Sequence, residues 1–534
     1  MKFRSFQKLV LAIAGVLLLI GVTSFAWIFG QSPLGLFKGS ALNAPTAAMF
    51  VPKQAPIMAS LLVNPDRLET LRQLSVKPGE RSATRAEFEQ FKQGILGSSD
   101  LNYKRDVQPW LGNEVTAAIT TLDIDRDESN GKEAGYLLAL ATKDTERSRE
   151  FLQLFWQKRA IAGTELVFDA YQGTKIIYGK IESESVPITV ASAVVGNQYV
   201  LFANSPKVLR DAINNVQASD LNLQNSSQYQ KTLASLNSGR VGVVFANLPE
   251  LAKLKRKEAP TASTAAISLS LDRKGLVAET AIVREGSASK LSDKAVAALN
   301  HVPAIASIAA AGIDLNQLWS GLSSESSVAK FVNPAIDRLN QRWNLDLPKD
   351  IFTWVNGEYA LAFISESEWV FVAEKTEGAE AAIAHLDELA KAQKISAGTI
   401  EISNQPVSVW TKFSPIGAAN KIEAEVVGVH TAIGKYEIFA TSVDAMNAVL
   451  NAKKETLANR KEFASAIAGL QKTNNGYLYL DWNTAQPILE QQLPILKIAE
   501  LAGGSIFEHL KSIVITNYGN RSGVQRGGIF VQLS

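Results

Sequence analysis

A nine-residue motif that occurs twice constrains the fold of this 534-residue chain more than any other feature. Residues 106–114 read DVQPWLGNE, and residues 350–358 read DIFTWVNGE. Four other short matches follow the same order in both halves, which is the pattern that a duplicated unit leaves in a sequence. We therefore expect two related units of similar length. The other matches begin at Pro56 and Pro303, at Phe202 and Phe439, at Gly242 and Gly476, and at Gly275 and Gly523.

Each half also contains a helical pattern followed by short runs that alternate between apolar and polar residues. Apolar side chains recur at helical spacing over residues 147–162 and 377–393, and Gly163 follows the first of these predicted helices. Ser205 and Ser442 are the predicted N-caps of a further helix in each half. Strands joined by hairpins and followed by amphipathic helices indicate α+β units with antiparallel sheets. The predicted strands cover residues 165–170, 175–181, 188–195, 199–203, 399–403, 407–412, 424–431 and 437–440.

The N-terminus combines a basic tip with a long apolar segment. The tip contains Lys2, Arg4 and Lys8 and no acidic residue, and residues 9–30 are almost entirely apolar. A helix of that length is about 33 Å long, enough to cross a hydrocarbon core of roughly 30 Å. The positive residues ahead of the segment predict a cytoplasmic N-terminus and a bulk that is periplasmic or thylakoid-lumenal. A cleaved signal peptide is the competing interpretation.

These patterns together predict an α+β fold class: an N-terminal transmembrane helix followed by two tandem, sequence-related α+β units whose antiparallel sheets are covered by helices. The segment 304–313 is the next most apolar one, and its ten residues suit a buried strand rather than a second span. The chain is therefore predicted to cross the membrane once. The predicted boundaries are 1–30 for the cytoplasmic basic tip and transmembrane anchor, 31–44 for a linker, 45–290 for the first α+β repeat and 291–534 for the second.

The composition excludes several classes of function. The 54 lysine and arginine residues are balanced by 52 aspartate and glutamate residues, so the net charge is +2 and no strongly basic nucleic-acid-binding face is expected. The chain has no cysteine, which excludes disulfides, thiolate nucleophiles and cysteine metal sites. It also lacks the Walker, dinucleotide-binding and Gly-x-Ser-x-Gly motifs. We therefore predict no catalytic residue, no metal site and no cofactor, and expect a protein that is not an enzyme.

Four residues of the repeated motif are candidates for a binding surface: Trp110 and Glu114 in the first half, and Trp354 and Glu358 in the second. The competing interpretation is structural, since tryptophan is commonly part of a core. A basic cluster is a candidate for contact with anionic lipid headgroups, with a solvated helix end as its alternative. The cluster consists of Lys253, Lys255, Arg256 and Lys257.

Two Ser-x-x-Lys patterns are compatible with a hydrolase. They are Ser287 with Lys290, and Ser327 with Lys330. On a helix, this spacing places a lysine amine one turn from a serine hydroxyl, where a deprotonated amine can act as a base. The Ser-Asp-Asn and Lys-Thr-Gly motifs that accompany such a pair in serine acylases are absent from the sequence. Catalysis at these serines is therefore the last of the alternatives.

The N-terminal pattern and the repeated motif resemble those of a known family. Residues 45–52 read PTAAMFVP after the anchor-like segment, and WLGNE at 110–114 then opens a strand. This arrangement resembles a group of uncharacterised cyanobacterial membrane-anchored proteins defined by a domain of unknown function. The resemblance covers nearly the whole chain and implies a plasma- or thylakoid-membrane location. It implies no activity and no catalytic residues, and WVNGE at 354–358 departs from it by exchanging glycine and asparagine.

The leading prediction is a membrane-anchored, non-enzymatic extracytoplasmic module for binding or assembly. Its expected partners are the membrane and another membrane or envelope protein, and no nucleic acid. A carrier for an apolar ligand, a lipid or a pigment, is the alternative because sheets covered by helices on one face often enclose an apolar pocket. A Ser-x-x-Lys hydrolase is the remaining alternative.

Overall fold

The structure is a computed structural model that describes the chain between residues 44 and 533, with gaps. Its contacts divide the chain into two compact units, the first made of Met1–Gly286 with Asn520–Arg526 and the second of Ser287–Gly519 with Gly527–Ser534. The predicted anchor at residues 1–30 lies outside the described residues. The described ranges are 44–64, 103–127, 132–181, 188–254, 262–272, 275–284, 290–315, 346–416 except 347, 353 and 366, 421–492 and 510–533.

The described part of the first unit contains ten complete strands and four α-helices. The strands are β1 (Ile57–Leu61), β2 (Leu111–Thr121), β3 (Gly135–Thr142), β4 (Leu166–Tyr171), β5 (Thr174–Ile181), β6 (Ile188–Val195), β7 (Tyr199–Ala203), β8 (Gly242–Asn247), β9 (Ala262–Asp272) and β10 (Gly275–Arg284). The helices are α1 (Thr145–Ile161), α2 (Pro206–Gln217), α3 (Ser227–Ala234) and α4 (Leu248–Leu254). Antiparallel pairing gives the strand order β4-β5-β6-β7-β3-β2-β1-β8-β9-β10.

The described part of the second unit contains the other ten strands and four α-helices. The strands are β11 (Ile308–Gly312), β12 (Tyr359–Phe363), β13 (Trp369–Glu374), β14 (Ile395–Ile402), β15 (Gln405–Ile416), β16 (Lys421–Ile433), β17 (Tyr436–Ala440), β18 (Gly476–Asp481), β19 (Leu510–Arg521) and β20 (Val524–Leu533). The helices are α5 (Ala379–Ala392), α6 (Val443–Asn451), α7 (Lys461–Ala468) and α8 (Trp482–Gln492). The strand order is β14-β15-β16-β17-β13-β12-β11-β18-β19-β20.

The helices cover the apolar side chains of the sheet in each unit. In the first unit, Leu209 and Ile213 of α2 are buried in one cluster with Leu201 of β7. In the second unit, Leu386 of α5 is buried in a cluster with Phe439 of β17. Fully burying a side chain of this size stabilises a fold by about 1.5–3 kcal/mol. The two cores therefore hold helices and strands together independently of the polar contacts described below.

The local predictions agree with the elements observed. The helix predicted over residues 147–162 is α1, and the Asp144 carboxylate caps its first turn. Gly163 follows α1 with a φ angle of +93°, a conformation that glycine adopts without strain. Ser205 caps α2 and Ser442 caps α6, as their positions in the sequence predicted. Capping residues and turn glycines were therefore reliable signals in this chain.

The predicted fold class, an N-terminal transmembrane helix followed by two tandem, sequence-related α+β units, is wrong. The described residues form mainly antiparallel sheet, with twenty strands. Within the residues that the structure describes, no helix has the length and apolar composition needed to cross a membrane. Sequence periodicity identifies individual strands but not their partners. The pairing of β1 with β8, for example, joins segments that are about 180 residues apart, and such pairings merge sheets that local patterns leave separate.

Gly476→Ala is expected to destabilise the second unit severely. Gly476 begins β18 with a φ angle of +134°, and an added Cβ would overlap the carbonyl oxygen of Ala311 and the Cα of Gly312 on β11. Backbone strain and overlap together predict a loss of about 3 kcal/mol or more in the free energy of unfolding. Urea unfolding of the full chain measures the change.

Gly434→Ala is the matched control for this experiment. Gly434 also has a positive φ angle, +57°, but nothing lies within 4 Å of the position that a Cβ would occupy. Only the backbone conformation is penalised there, and the expected loss is about 1 kcal/mol. Equal losses for the two variants would contradict the close approach of β11 and β18 at Gly476.

Candidate functional site

Glu114 is the polar centre of the first unit. Its side chain lies on β2 with no exposed surface. The carboxylate accepts hydrogen bonds from the backbone N–H groups of Thr46 at 3.1 Å and Ala47 at 2.8 Å. It also accepts from the hydroxyl groups of Tyr199 at 2.8 Å and Thr116 at 3.1 Å, and from the Thr46 hydroxyl. Five donors therefore converge on one buried carboxylate.

These contacts join a short helix to the sheet. Residues Ala47–Phe50 form a 3₁₀-helix whose first N–H groups have no partner within the helix. Glu114, from a strand far along the chain, supplies the acceptors and places a negative charge at the helix N-terminus, where the helix dipole favours it. The geometry is that of an N-cap provided from a distance. Glu114 therefore acts as a structural clamp between the start of the described chain and β2.

Tyr199 completes this clamp from β7. Its hydroxyl contacts both the Glu114 carboxylate and the Thr46 hydroxyl. Burial, together with the negative charge of Glu114, raises the pKa of the Tyr199 hydroxyl far above the usual value for tyrosine. The hydroxyl therefore stays protonated and continues to donate. The ring packs edge-on against Phe50, with ring centroids 5.1 Å apart, so polar and apolar contacts fix the same helix.

Glu358 makes the corresponding contacts in the second unit with fewer donors. Its carboxylate accepts from the backbone N–H of Ala298 at 3.0 Å, in the 3₁₀-helix Ala297–His301, and from the Tyr436 hydroxyl at 2.7 Å. Burial and the hydrogen bond to Glu358 raise the pKa of Tyr436 to about 12. Glu358 is only half-buried. The same clamp is therefore present in both units, and it is less enclosed in the second.

The two motif tryptophans lie in the interior. Trp110 is 1% exposed, and its indole N–H donates to the Asp106 carbonyl oxygen at 2.8 Å. Trp354 is 4% exposed and donates to the Asp350 carbonyl oxygen at 3.2 Å. Trp110 packs against Phe151 of α1, in a cluster separate from the one that surrounds Glu114. The four candidate residues of the motif are thus not brought together on an exposed surface.

The basic cluster is only partly described. Lys253 is exposed at the end of α4 and donates to the Glu250 carboxylate at 2.7 Å. Exposed pairs of this kind contribute at most about 1 kcal/mol. Lys255, Arg256 and Lys257 lie outside the described residues. Contact between this cluster and lipid headgroups stays a prediction.

The Ser-x-x-Lys pairs fall largely outside the described residues. Ser287, Ser327 and Lys330 belong to segments that the structure does not describe. Lys290 is described, and its amine donates to the carbonyl oxygen of Asn356 at 3.4 Å. A hydrolase at these residues stays a prediction from the sequence.

The partners of the two glutamates were missed in the sequence, although a signal for them exists. Tyr199 and Tyr436 each lie three residues before the phenylalanine that begins a repeated match, Phe202 in the first half and Phe439 in the second. Extending that match toward the N-terminus shows a tyrosine at the same place in both halves. Thr46 has no comparable signal, because its contact with Glu114 is made through the backbone as well as the hydroxyl.

An exposed surface lies elsewhere in the second unit, where β15 and β16 continue past β14. The pairing of β14 with β15 ends at Lys412. Beyond it, residues 413–416 of β15 pair with residues 421–424 of β16, and we call these eight residues the ribbon. Phe413 is 54% exposed and Ile422 is 71% exposed, which makes the ribbon a candidate contact surface.

The fold and these buried clamps define a two-unit, mainly antiparallel β protein. The chain belongs to the DUF3352 family of proteins of unknown function, whose family model matches residues 10–533. This confirms the resemblance to a family defined by a domain of unknown function. No curated protein matches the chain.

Solved structures give only distant similarity. Crystal form III of TP0453 has 9% sequence identity and a TM-score of 0.26, and the match covers 46% of this chain and 83% of that one. Crystal form I of TP0453 has 8% identity and a TM-score of 0.26, with 46% and 82% covered. Similarity at this level supports no conclusion about fold or function.

Glu114→Gln is expected to reduce the free energy of unfolding by about 2–4 kcal/mol, because an amide NH₂ would face buried donors that now contact a carboxylate oxygen. Glu358→Gln should cost about 1 kcal/mol, since that carboxylate is half-buried and accepts from fewer donors. Urea unfolding followed by circular dichroism measures both changes.

Glu250→Gln serves as the control for these variants, because the contact it removes is an exposed pair with Lys253. Its effect should stay within about 0.5 kcal/mol. A Glu114→Gln variant as stable as Glu250→Gln would show that the buried clamp does not support the fold.

Proposed function

We propose that the protein is a non-enzymatic binding or assembly module that contacts its partner through the ribbon. One observation carries the proposal: the ribbon presents two large apolar side chains to solvent, Phe413 at 54% and Ile422 at 71% exposure. Neighbouring apolar side chains that remain exposed commonly mark sites of interaction. The proposed partner is another membrane or envelope protein with a complementary apolar surface.

Strand register places both apolar side chains on one face of the ribbon. Phe413 pairs directly with Ala424, and Ile422 lies two residues from Ala424, so all three share a face. Ser414 and Glu423 pair on the opposite face. The described side chains of the ribbon are therefore divided between an apolar face, which carries Phe413 and Ile422, and a polar face, which carries Ser414 and Glu423. A partner that covers the apolar face would gain about 1.5–3 kcal/mol for each large side chain that becomes fully buried.

The proposal also includes a location outside the cytoplasm, at a membrane. Its support is the sequence: the apolar segment 9–30 follows a tip that contains Lys2, Arg4 and Lys8 and no acidic residue. The resemblance stated above adds a cyanobacterial origin and a plasma or thylakoid membrane. The family match itself shows only a domain of unknown function. The origin and the membrane location are part of the proposal.

We further propose that the two units derive from one ancestral unit. The repeated motif at 106–114 and 350–358 supports this relation. Further support comes from the strand order, which is the same in the two units when each is numbered from its own first strand. Glu114 and Glu358 make the same type of contact, each with a 3₁₀-helix and a tyrosine. A duplication accounts for all three observations.

A photo-cross-linking residue at position 413 tests the contact surface. In native membranes, benzoylphenylalanine at 413 or 422 should give the same cross-linked protein, because both side chains lie on the apolar face. The same residue at position 414, on the polar face, should give at least about tenfold less product. The double variant Phe413→Ser/Ile422→Ser should abolish co-purification of that protein.

Other outcomes of this experiment separate the alternatives. Equal cross-linking from 413 and 414 would contradict a one-sided contact. Cross-linking from 413 to lipid or pigment alone would replace the assembly module with the carrier for an apolar ligand. Circular dichroism of the 413/422 double variant must match the original chain, so that lost binding is not lost folding.

Membrane fractionation with protease protection tests the location. The full chain should sediment with membranes and be digested by protease added from the extracytoplasmic side. Deleting residues 9–30 should move the protein to the soluble fraction, because the apolar segment supplies the attachment. Full-length protein recovered in the cytosol would contradict the proposed location and a membrane or envelope partner, but not the use of the ribbon as a contact surface.

A further inference from the structure

A second polar cluster is buried in the second unit, around His430 of β16. His430 is 6% exposed. Its Nδ1 lies 2.7 Å from Oε1 of Glu437 on β17, and its Nε2 lies 3.7 Å from Oδ1 of Asp387 on α5. The Trp410 indole N–H donates to the same Asp387 oxygen at 2.7 Å. One imidazole thus lies between two carboxylates that belong to different elements.

In this geometry a neutral imidazole leaves one ring nitrogen without a hydrogen bond among the described residues. A neutral ring carries one N–H, and the short contact with the Glu437 carboxylate requires that Nδ1 donate. Nε2 would then be a bare acceptor; it is buried and makes no hydrogen bond among the described residues. The charged group nearest to it is Asp387, which also accepts. A proton on Nε2 turns this unfavourable approach into a second ion pair.

Among the described residues, two carboxylates lie within 4 Å of the ring nitrogens. Asp387 faces it from α5 and Glu437 from β17. Two aromatic rings also pack against it: Trp410 of β15 with ring centroids 5.0 Å away, and Phe439 of β17 stacked at 5.5 Å. Aromatic faces accommodate a cation better than a bare lone pair.

We propose that His430 is a proton-operated lock that fastens α5 to the sheet of the second unit. With both nitrogens protonated, the imidazolium joins Asp387 of α5 to Glu437 of β17. When Nε2 loses its proton, the ion pair with α5 is lost, and the helix is held by apolar packing and by the hydrogen bond from Trp410 to Asp387. The lock is closed while both ring nitrogens are protonated and opens when a rise in pH removes the proton from Nε2.

The first unit has no such charged contact at the matching place. Ser192 of β6 pairs with Phe202 of β7, as His430 pairs with Phe439. The Trp156 indole N–H of α1 donates to the Ser192 hydroxyl at 2.7 Å. This neutral hydrogen bond joins α1 to the sheet of the first unit without a titratable group. It provides an internal reference for the behaviour of α5.

The lock lies at the root of the ribbon. Trp410, which Asp387 holds, directly precedes a β-bulge that leads into the ribbon. Bulges redirect the strand that carries them. Loss of the His430 ion pair therefore weakens the positioning of Asp387, the acceptor that holds Trp410 beside this bend. An effect of pH on partner binding rests on the proposed function of the ribbon, whereas the lock itself does not.

Hydrogen exchange of the purified full chain between about pH 5.5 and pH 8 tests the lock. After correction for the intrinsic pH dependence of exchange, protection of α5 should fall about tenfold as the pH rises, since one partly buried ion pair is lost. Protection of α1 should not change. His430→Gln should remove the pH dependence of α5. The ring nitrogens of His430, observed by ¹⁵N NMR, should both be protonated at the lower pH.

Asp387→Asn is the second variant, in case His430→Gln does not fold. It retains an oxygen acceptor for Trp410 but removes the negative charge that faces Nε2, so the pH dependence of α5 should shrink. Protection of α5 that is independent of pH in the original chain, or that keeps its pH dependence in both variants, would overturn the lock. The measurement needs no partner, so its failure is distinct from failure of the ribbon proposal.

Discussion

A carboxylate without solvent contact determines how the first unit is assembled. A buried carboxylate is costly unless donors replace the water it has lost, and removing such a group from a hydrogen-bonded network commonly costs several kcal/mol. The donors to Glu114 come from the 3₁₀-helix at residue 46, from β2 itself and from β7. All three segments must be in place together. The contact therefore couples parts of the chain that no local interaction would hold in register.

The second unit has the same clamp in a weaker form and a different polar cluster beside it. Glu358 is half-buried and accepts from Ala298 and Tyr436. Where the first unit has Val200, next to Tyr199 at the start of β7, the second has Glu437 next to Tyr436. This difference places a carboxylate within reach of His430, which itself lies where the first unit has Ser192. The first unit thus has a buried carboxylate at the Glu114 clamp. The second unit has the Glu358 clamp and, in addition, the contact of His430 with α5.

Much of the local structure could be predicted from the sequence, whereas the architecture could not. Gly163 and the N-cap Ser205 mark helix ends through backbone and capping preferences that depend only on neighbouring residues. The motif singles out Glu114 but does not show the contacts that its carboxylate makes. The donor groups of Tyr199 and Ala47 are 85 and 67 residues away, and spacing within a motif carries no information on such contacts.

The exposed ribbon and the buried cluster occupy the same strand pair, and this arrangement has a physical consequence. A two-stranded ribbon is marginally stable by itself, so the direction of Phe413 and Ile422 depends on how its root is held. Trp410 provides that hold through Asp387, in a part of the core where aromatic rings pack closely. A change in the charge of His430 therefore acts on the ribbon through Asp387 and Trp410. The clamp at Glu114 lies in the first unit and shares no residue with this cluster, so it can stay intact while the contact surface changes.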